Sequence, residues 1–207
     1  SFLTDTHGRD HVTHAELAVT NDGKFLGFKN ETIANLGAYA RVFGTVTPTY
    51  LFGPCATGVY TIPAAYSNVK AVYTNTAPVD AYRGAGRPEA TYTIERLVEK
   101  AAMELGIDKT EIRMKNFPSE FPFKQTLVHT VDSGDYVAGL EKAKQMADYA
   151  SFEARRKKSE ANGKLRGIGV SSYFEACGIA PSAAVMSLGC GVGLWESAEV
   201  RFNPTGQ

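Results

Sequence analysis

The chain has 207 residues, with 22 basic and 22 acidic side chains, and 43% of its residues are hydrophobic. This length is sufficient for one or two domains with a hydrophobic core. The balanced charge gives no electrostatic reason to bind nucleic acid or a membrane surface, and no apolar run has the length of a membrane span. We therefore expect a globular, cytoplasmic protein without a nucleic-acid partner.

The chain begins at Ser1, without a methionine or a signal peptide, so we expect an internal section or a processed product of a longer protein. Its three cysteines are Cys55, Cys177 and Cys190, which are far apart and include no C-x-x-C pair. This number and spacing fit neither a disulfide framework nor a zinc or iron–sulfur site. Free thiols are therefore expected.

The first third of the chain predicts mainly strands. Residues 16–20 and 24–36 have strand character, and Asn21-Asp22-Gly23 between them predicts a hairpin turn. Residues 42–66 are rich in glycine, proline, threonine and aromatic side chains, which indicates an ordered irregular segment. Residues 69–75 alternate in polarity and predict a third strand.

A long helix is predicted next, because apolar residues recur at helical spacing until Gly106. These residues are Ile94, Leu97, Val98, Ala101, Ala102 and Leu105. Further helices are predicted over residues 109–116, 135–149 and 153–162, and further strands over residues 165–175 and 193–202. Strands, then helices, then strands predict an α+β fold with a mixed sheet, rather than a doubly wound parallel sheet.

The nine residues Ala81-Tyr82-Arg83-Gly84-Ala85-Gly86-Arg87-Pro88-Glu89, hereafter the glycine loop, precede this long helix. Glycine permits positive φ and close approach of the backbone to a ligand. Pro88 suits a first helical turn, and Glu89 suits the positive end of a helix dipole. Unpaired N–H groups flanked by Arg83 and Arg87 predict a site for an anion such as a phosphate or pyrophosphate.

A plain structural turn explains the same residues, with both arginines solvated or paired to surface carboxylates. The loop is not a dinucleotide fingerprint, because Glu89 occupies the third glycine position of G-x-G-x-x-G. The residues alone leave the anion site and the plain turn open.

A second cluster contains metal-ligand residue types near the start of the chain. It comprises Asp5, His7, Asp10, His11 and His14. Imidazoles and carboxylates are common metal ligands, but His7 and His14 would face opposite sides of a strand. We predict no metal ligand among these residues.

Several segments together resemble the large, molybdenum-binding subunit of the molybdenum hydroxylases, a family of xanthine dehydrogenases, aldehyde oxidoreductases and aerobic carbon monoxide dehydrogenases. They occur in order along the chain, at residues 5–11, 34–39, 74–80, 81–89, 132–136 and 191–196. The resemblance covers essentially the whole chain. It implies part of a molybdopterin-binding domain, with residues 1–132 holding the glycine loop and the following helices. Residues 133–207 would then form a helical linker and the start of the next α+β domain.

The resemblance also implies an enzyme, an oxidoreductase that hydroxylates a C–H bond of an aldehyde or N-heterocycle with water. Its expected cofactor is molybdopterin, as the cytosine dinucleotide, with molybdenum. Its expected partners are the rest of the large subunit, an FAD-binding medium subunit, a 2Fe–2S small subunit and a small-molecule substrate, in a dimer of heterotrimers. An independent anion- or nucleotide-binding module and a non-catalytic scaffold remain the alternatives.

By the same resemblance, the glycine loop lies beside the molybdenum and its pterin, with Arg83 as the catalytic residue that stabilises negative charge. The implied cofactor-binding residues are Tyr82, Arg83, Gly84, Ala85, Gly86 and Arg87. Family members carry their base glutamate near the C-terminus of the subunit, and that residue does not lie in this chain. We therefore expect the chain alone to be inactive.

The sequence departs from two branches of the family. Carbon monoxide dehydrogenases carry a copper-binding cysteine where this chain has Gly84, and copper(I) needs a soft ligand. We therefore expect no copper and no oxidation of carbon monoxide. Purine-oxidising members carry an arginine near the position of Leu51, which disfavours xanthine as a substrate.

Overall fold

A computed structural model describes residues 5–175, 186–187 and 198–206. The chain divides into two compact units, Ser1–Phe174 and Glu175–Gln207, and the elements named below all lie in the first unit. The boundary predicted after residue 132 concerns the larger subunit and stays a prediction. Within the described ranges, none of the helices combines the length and apolar character needed to cross a membrane.

A mixed three-stranded sheet forms one layer of the fold. Strands β1 (His11–Val19) and β2 (Phe25–Asn35) are antiparallel, and β3 (Ala64–Val72) runs parallel to β2 on its other side. The predicted hairpin lies between β1 and β2, with Gly23 at φ +87°. The predicted third strand begins five residues earlier than the sequence pattern suggested, because β3 pairs with β2 from Gly27 to Asn35.

Two helices pack on this sheet. Helix α1 (Arg87–Leu105) ends where the sequence predicted, since Gly106 takes the left-handed conformation that closes a helix. Helix α2 (Lys109–Lys115) begins at the cap Asp108, whose carboxylate accepts from the Thr110 N–H at 2.7 Å. The main core lies between sheet and helices. Its buried members are Phe25, Phe28, Ala56, Val59, Tyr60, Ile62, Ile94, Val98, Ala102, Ile112 and Phe117.

The chain between β2 and β3 must cross over, because the two strands are parallel. It does so through a π-helical turn, Thr47–Leu51, and a 3₁₀ turn, Gly53–Cys55. Phe52 lies between these turns and is fully buried against Cys55 and Ala90. The predicted ordered irregular segment is confirmed, and its buried side chains support the start of α1.

Smaller elements complete the first unit. Strands β4 (Phe123–Lys124) and β5 (Thr130–Val131) form a two-residue pairing that the sequence analysis missed. Helix α3 (Tyr136–Met146), a 3₁₀ turn and α4 (Phe152–Ala161) follow, as the helical spacing predicted. The α+β fold with a mixed sheet and several helices is confirmed.

The strand predicted over residues 165–175 is wrong, since these residues have no regular secondary structure. A strand needs a neighbouring strand for its N–H and C=O groups. Here side chains of α2 take two of the carbonyls instead: Lys109 Nζ donates to Ile168 at 3.3 Å and Arg113 Nη2 donates to Val170 at 3.0 Å. Of the strand predicted over residues 193–202, only residues 198–202 are described, and they are not a strand.

A buried ion-pair network joins α1 to α2. The Arg113 side chain is 0% exposed, and its Nε donates to Glu95 Oε2 at 3.0 Å. The hydroxyl of Tyr60 donates to the same carboxylate. Burial, followed by the adjacent Glu95, raises the pKa of Tyr60 well above its ordinary value, so the hydroxyl remains a donor. The network fixes α1 against the crossover segment.

Truncating Arg113 should open this network. In the complete protein, we expect Arg113→Ala to lower the local free energy of unfolding by about 3–5 kcal/mol, because Glu95 becomes a buried charge without its partner. Hydrogen exchange read by mass spectrometry on peptides of α1 and α2 measures the change. Lys100→Ala removes an exposed ion pair with Glu104 within α1, the helix that carries Glu95, and should change little. Equal exchange rates in the two variants would contradict the role of the network.

Candidate functional site

The glycine loop enters α1 through three consecutive residues with left-handed backbone. Gly84, Ala85 and Gly86 have φ of +91°, +31° and +86°. The N–H of Ala85 donates to the Tyr82 carbonyl at 2.7 Å, and the N–H of Arg87 donates to the Gly84 carbonyl at 3.2 Å. L-residues rarely adopt this region, so Ala85 is held there by the structure around it.

Glycine is required in this loop by space as well as by φ. A Cβ on Gly86 would lie 2.6 Å from the Leu51 carbonyl carbon and 2.7 Å from the Phe52 nitrogen. A Cβ on Gly84 would lie 2.6 Å from Cγ of Pro88. The loop backbone is therefore pressed against the crossover segment on one side and the first turn of α1 on the other.

Asp80 fastens the beginning of the loop. Its Oδ1 accepts from the Ala81 N–H at 2.8 Å and from the Phe43 N–H at 3.0 Å. Its own N–H donates to the His7 carbonyl at 2.8 Å. No local sequence pattern predicts this role of Asp80, because Phe43 and His7 lie 37 and 73 residues away in the chain.

Several backbone N–H groups of the loop have no acceptor within the described part of the chain. Among the described residues, the N–H groups of Arg83, Gly84 and Gly86 donate to no acceptor. The Arg83 side chain is exposed and has no ion pair in this part of the chain. These donors lie at the positive end of α1, which is an arrangement suited to an anionic ligand.

Arg87 has a different position from Arg83. It is 9% exposed, and its Nη1 donates to the Ala85 carbonyl at 3.2 Å. Burial, followed by the positive charge of Arg87, lowers the pKa of His129, whose Nε2 lies 3.4 Å from Cys55 Sγ. The six residues predicted at the site are consecutive and lie together. The Arg87 side chain differs from that of Arg83, because it is buried and supports the loop from the interior of the protein.

Among the described residues, no three His, Cys, Asp or Glu side chains are grouped so that they could hold a metal ion. His7 instead pairs its backbone with the strand-like residues before the loop: its N–H donates to the Pro78 carbonyl at 2.9 Å. Burial, as the main cause, lowers the pKa of His11. These residues support the loop structurally.

Several known proteins with longer chains are similar to this chain in sequence. A family model described as the molybdopterin cofactor-binding domain matches residues 1–117. The carbon monoxide dehydrogenase large chain of Hydrogenophaga pseudoflava is 41% identical over 214 residues, covering 100% of this chain and 26% of the relative. Subunit gamma of the 6-hydroxypseudooxynicotine dehydrogenase complex of Paenarthrobacter nicotinovorans is 34% identical and covers 100% of this chain and 25% of the relative.

Solved structures agree. Quinoline 2-oxidoreductase from Pseudomonas putida 86 matches with a TM-score of 0.83 at 32% identity, over 91% of this chain and 24% of the other. Carbon monoxide dehydrogenase from Oligotropha carboxidovorans matches with a TM-score of 0.78 at 34% identity, over 88% of this chain and 24% of the other. The chain belongs to the molybdopterin cofactor-binding domain family of the molybdenum hydroxylases. It spans about a quarter of the length of these relatives.

A single added methyl group should test whether the loop needs glycine. We expect Gly86→Ala to destabilise the complete protein, because the backbone strain alone costs about 1–3 kcal/mol and the new Cβ meets backbone that cannot move aside. The midpoint of thermal unfolding measures this. Gly139→Ala is the matched control: it lies in α3 with nothing within 4 Å of the new Cβ and should stabilise slightly. Similar midpoints for both variants would refute the packing argument.

Proposed function

We propose that the glycine loop forms one wall of the molybdenum-cofactor site in the large subunit of a molybdenum hydroxylase. The observation that carries this proposal is that the N–H groups of Arg83, Gly84 and Gly86, at the start of α1, donate to no acceptor among the described residues. They lie within the region matched by the molybdopterin cofactor-binding family. The chain has both the backbone cradle and the positive charge that an anionic cofactor needs.

Each residue of the loop has a defined task in this proposal. The three amides bind oxygen or sulfur atoms of the cofactor, and Gly86 lets the loop backbone lie close to the crossover segment. Arg83 stabilises negative charge that develops at the cofactor. Arg87 and Tyr82 hold the loop in shape. When bound, molybdopterin with molybdenum, as the cytosine dinucleotide, supplies the two-electron oxidation itself.

The proposed reaction converts a substrate R–H and water into R–OH, two protons and two electrons. We infer an aldehyde or an N-heterocycle as the substrate; the names of quinoline 2-oxidoreductase and 6-hydroxypseudooxynicotine dehydrogenase support the latter. The electrons leave through 2Fe–2S clusters on a small subunit to FAD on a medium subunit. The base glutamate belongs to the remainder of the large subunit, and the assembly is a cytoplasmic dimer of heterotrimers.

Carbon monoxide is disfavoured as a substrate, although a carbon monoxide dehydrogenase large chain is 41% identical. A solved relative is described as a Cu,Mo enzyme. Copper(I) requires a soft ligand, and Gly84 has no side chain. The space in which a Cβ of residue 84 would lie is already occupied by the Pro88 ring. We therefore propose a site without copper.

The metal content of the native protein, isolated with its partner subunits, tests the proposal most directly. We expect close to one molybdenum per large subunit and no copper, measured by inductively coupled plasma mass spectrometry. Molybdenum with stoichiometric copper would contradict the role given to Gly84. Absence of both metals would contradict the proposed enzymatic function and favour a non-catalytic scaffold.

Arg83 provides the residue-level test. In the complete enzyme, we expect Arg83→Ala to lower kcat by about 100-fold or more, because a charge aimed at the reacting centre is removed, or to lower molybdenum content. Arg96→Ala is the matched control, since Arg96 is also exposed, lies on α1 and has no ion pair among the described residues. Unchanged molybdenum content together with unchanged turnover in Arg83→Ala would exclude the proposed role.

A further inference from the structure

Arg9 makes three separate contacts with the glycine loop. Its Nη2 donates to the Arg83 carbonyl. Its guanidinium carbon lies 5.0 Å from the centre of the Tyr82 ring. Its Nε lies 3.6 Å from Oε2 of Glu89 in the first turn of α1. One side chain from the start of the chain thus touches the loop both before and after its left-handed residues.

The hydrogen bond to Arg83 fixes the direction of a peptide group. A trans peptide is planar, and its C=O and N–H point in opposite directions. The carbonyl of Arg83 and the N–H of Gly84 belong to the same peptide. Because Arg9 holds the carbonyl, the Gly84 N–H points away from Arg9, and it donates to no acceptor among the described residues.

The same hydrogen bond changes the strength of that donor. Arginine keeps its positive charge in proteins, and a charged donor on a carbonyl polarises the peptide. The Gly84 N–H therefore carries more positive charge than an ordinary amide. This makes it a better donor to an anion.

The backbone around Arg9 is built for this contact. Arg9 itself has φ +61°, and together with Ala85 it accounts for two of the three non-glycine residues with positive φ in the described chain. A Cβ on Gly8 would lie 2.4 Å from Cβ of Tyr82, so the backbone of residue 8 lies directly against Tyr82 of the glycine loop. Strained residues held by surrounding structure are typical of functional sites.

Glu89 anchors Arg9 from the other side. Its side chain is only 8% exposed, and its two carboxylate oxygens accept no hydrogen bond among the described residues. A buried carboxylate without compensation is costly, and Arg9 is the cation placed to offset it at 3.6 Å. This ion pair holds the guanidinium in line with the Arg83 carbonyl.

We propose that Arg9 is a positioning residue that orients and polarises the Arg83–Gly84 peptide toward the molybdenum cofactor. This inference rests on the proposed function of the loop, because it requires the cofactor to lie at the Gly84 N–H. Arg9 acts through the peptide and does not itself contact the cofactor. Its removal should therefore alter the properties of bound cofactor rather than prevent binding altogether.

The complete enzyme with its partner subunits is the material for the test, and Arg9→Met is the main variant. Methionine keeps an apolar stem against Tyr82 while it removes both the charge and the donor. We expect kcat per bound molybdenum to fall about 10- to 100-fold, because the donor is misdirected rather than lost. We also expect the g-values of the Mo(V) electron paramagnetic resonance signal to shift. Arg9→Lys should recover only part of the rate, because an ammonium lacks the planar fork that serves two acceptors.

Two further variants complete the test, one as a control and one as a second perturbation of the same contact. Arg96→Met makes the same chemical change on α1 and should leave the rate per molybdenum and the Mo(V) signal as in the unmodified enzyme. Gly8→Ala pushes residue 8 against Tyr82 while it retains the guanidinium, so it should shift the signal in the same manner as Arg9→Met.

The outcomes separate this proposal from the one on which it rests. Lower molybdenum content in Arg9→Met, with an unchanged rate and signal per molybdenum, would reduce Arg9 to a purely structural role and overturn the inference. If Arg83→Ala left the molybdenum content as well as the rate and signal per molybdenum unchanged, the loop would not lie at the cofactor, and the proposed function itself would fail. A shifted signal in Arg83→Ala but not in Arg9→Met would refute Arg9 alone.

Discussion

The close contact between Gly86 and the crossover segment is the constraint on which the candidate site depends. At this point two stretches of backbone lie so near each other that a single Cβ would come within 2.7 Å of three main-chain atoms. The contact aligns the end of the glycine loop with the first turn of α1, so the positive end of the helix and the loop amides face the same way. Phe52, buried behind it, prevents the crossover segment from moving aside.

The rest of the first unit keeps this contact in place. Helix α1 packs on the sheet through Ile94, Val98 and Ala102, and the Arg113–Glu95 ion pair fixes it to α2. Arg113 also holds residue 170 by its carbonyl, so that an irregular segment is fastened to the helices by side-chain donors. A rigid support of this kind is what a loop with strained residues requires, because strain persists only where the surrounding structure determines the conformation.

The similar proteins share one fold, although their names refer to different reactions. Proteins named for carbon monoxide, for quinoline and for a nicotine derivative share this fold at 32–41% identity. In this chain, the residues that shape the loop are glycines and buried supports, whereas the Arg83 side chain is exposed. Differences in reaction within such a family are therefore expected from side chains on the open face.

The sequence by itself determined the elements that have local signals. The turn at Gly23, the end of α1 at Gly106 and the helical spacing of α1 to α4 all follow from neighbouring residues. The segments at residues 5–11, 34–39 and 74–89, which occur in this order along the chain, also determined the family. The match to the molybdopterin cofactor-binding domain confirms that assignment. The composition of the glycine loop was sufficient to place the candidate site at the start of a helix.

Only the tertiary structure decided how the site is held and which side chains face it. Arg9 and Arg83 are 74 residues apart in the chain, and no local pattern predicts that they meet. Arg83 and Arg87 have the same residue type, yet one is exposed and the other buried, because packing against the core sets their directions. Residues 165–175 were predicted as a strand, but two of their carbonyls accept from Lys109 and Arg113 instead. Each of these outcomes depends on partners distant in sequence, since a backbone group or charge takes whichever partner the folded chain brings to it.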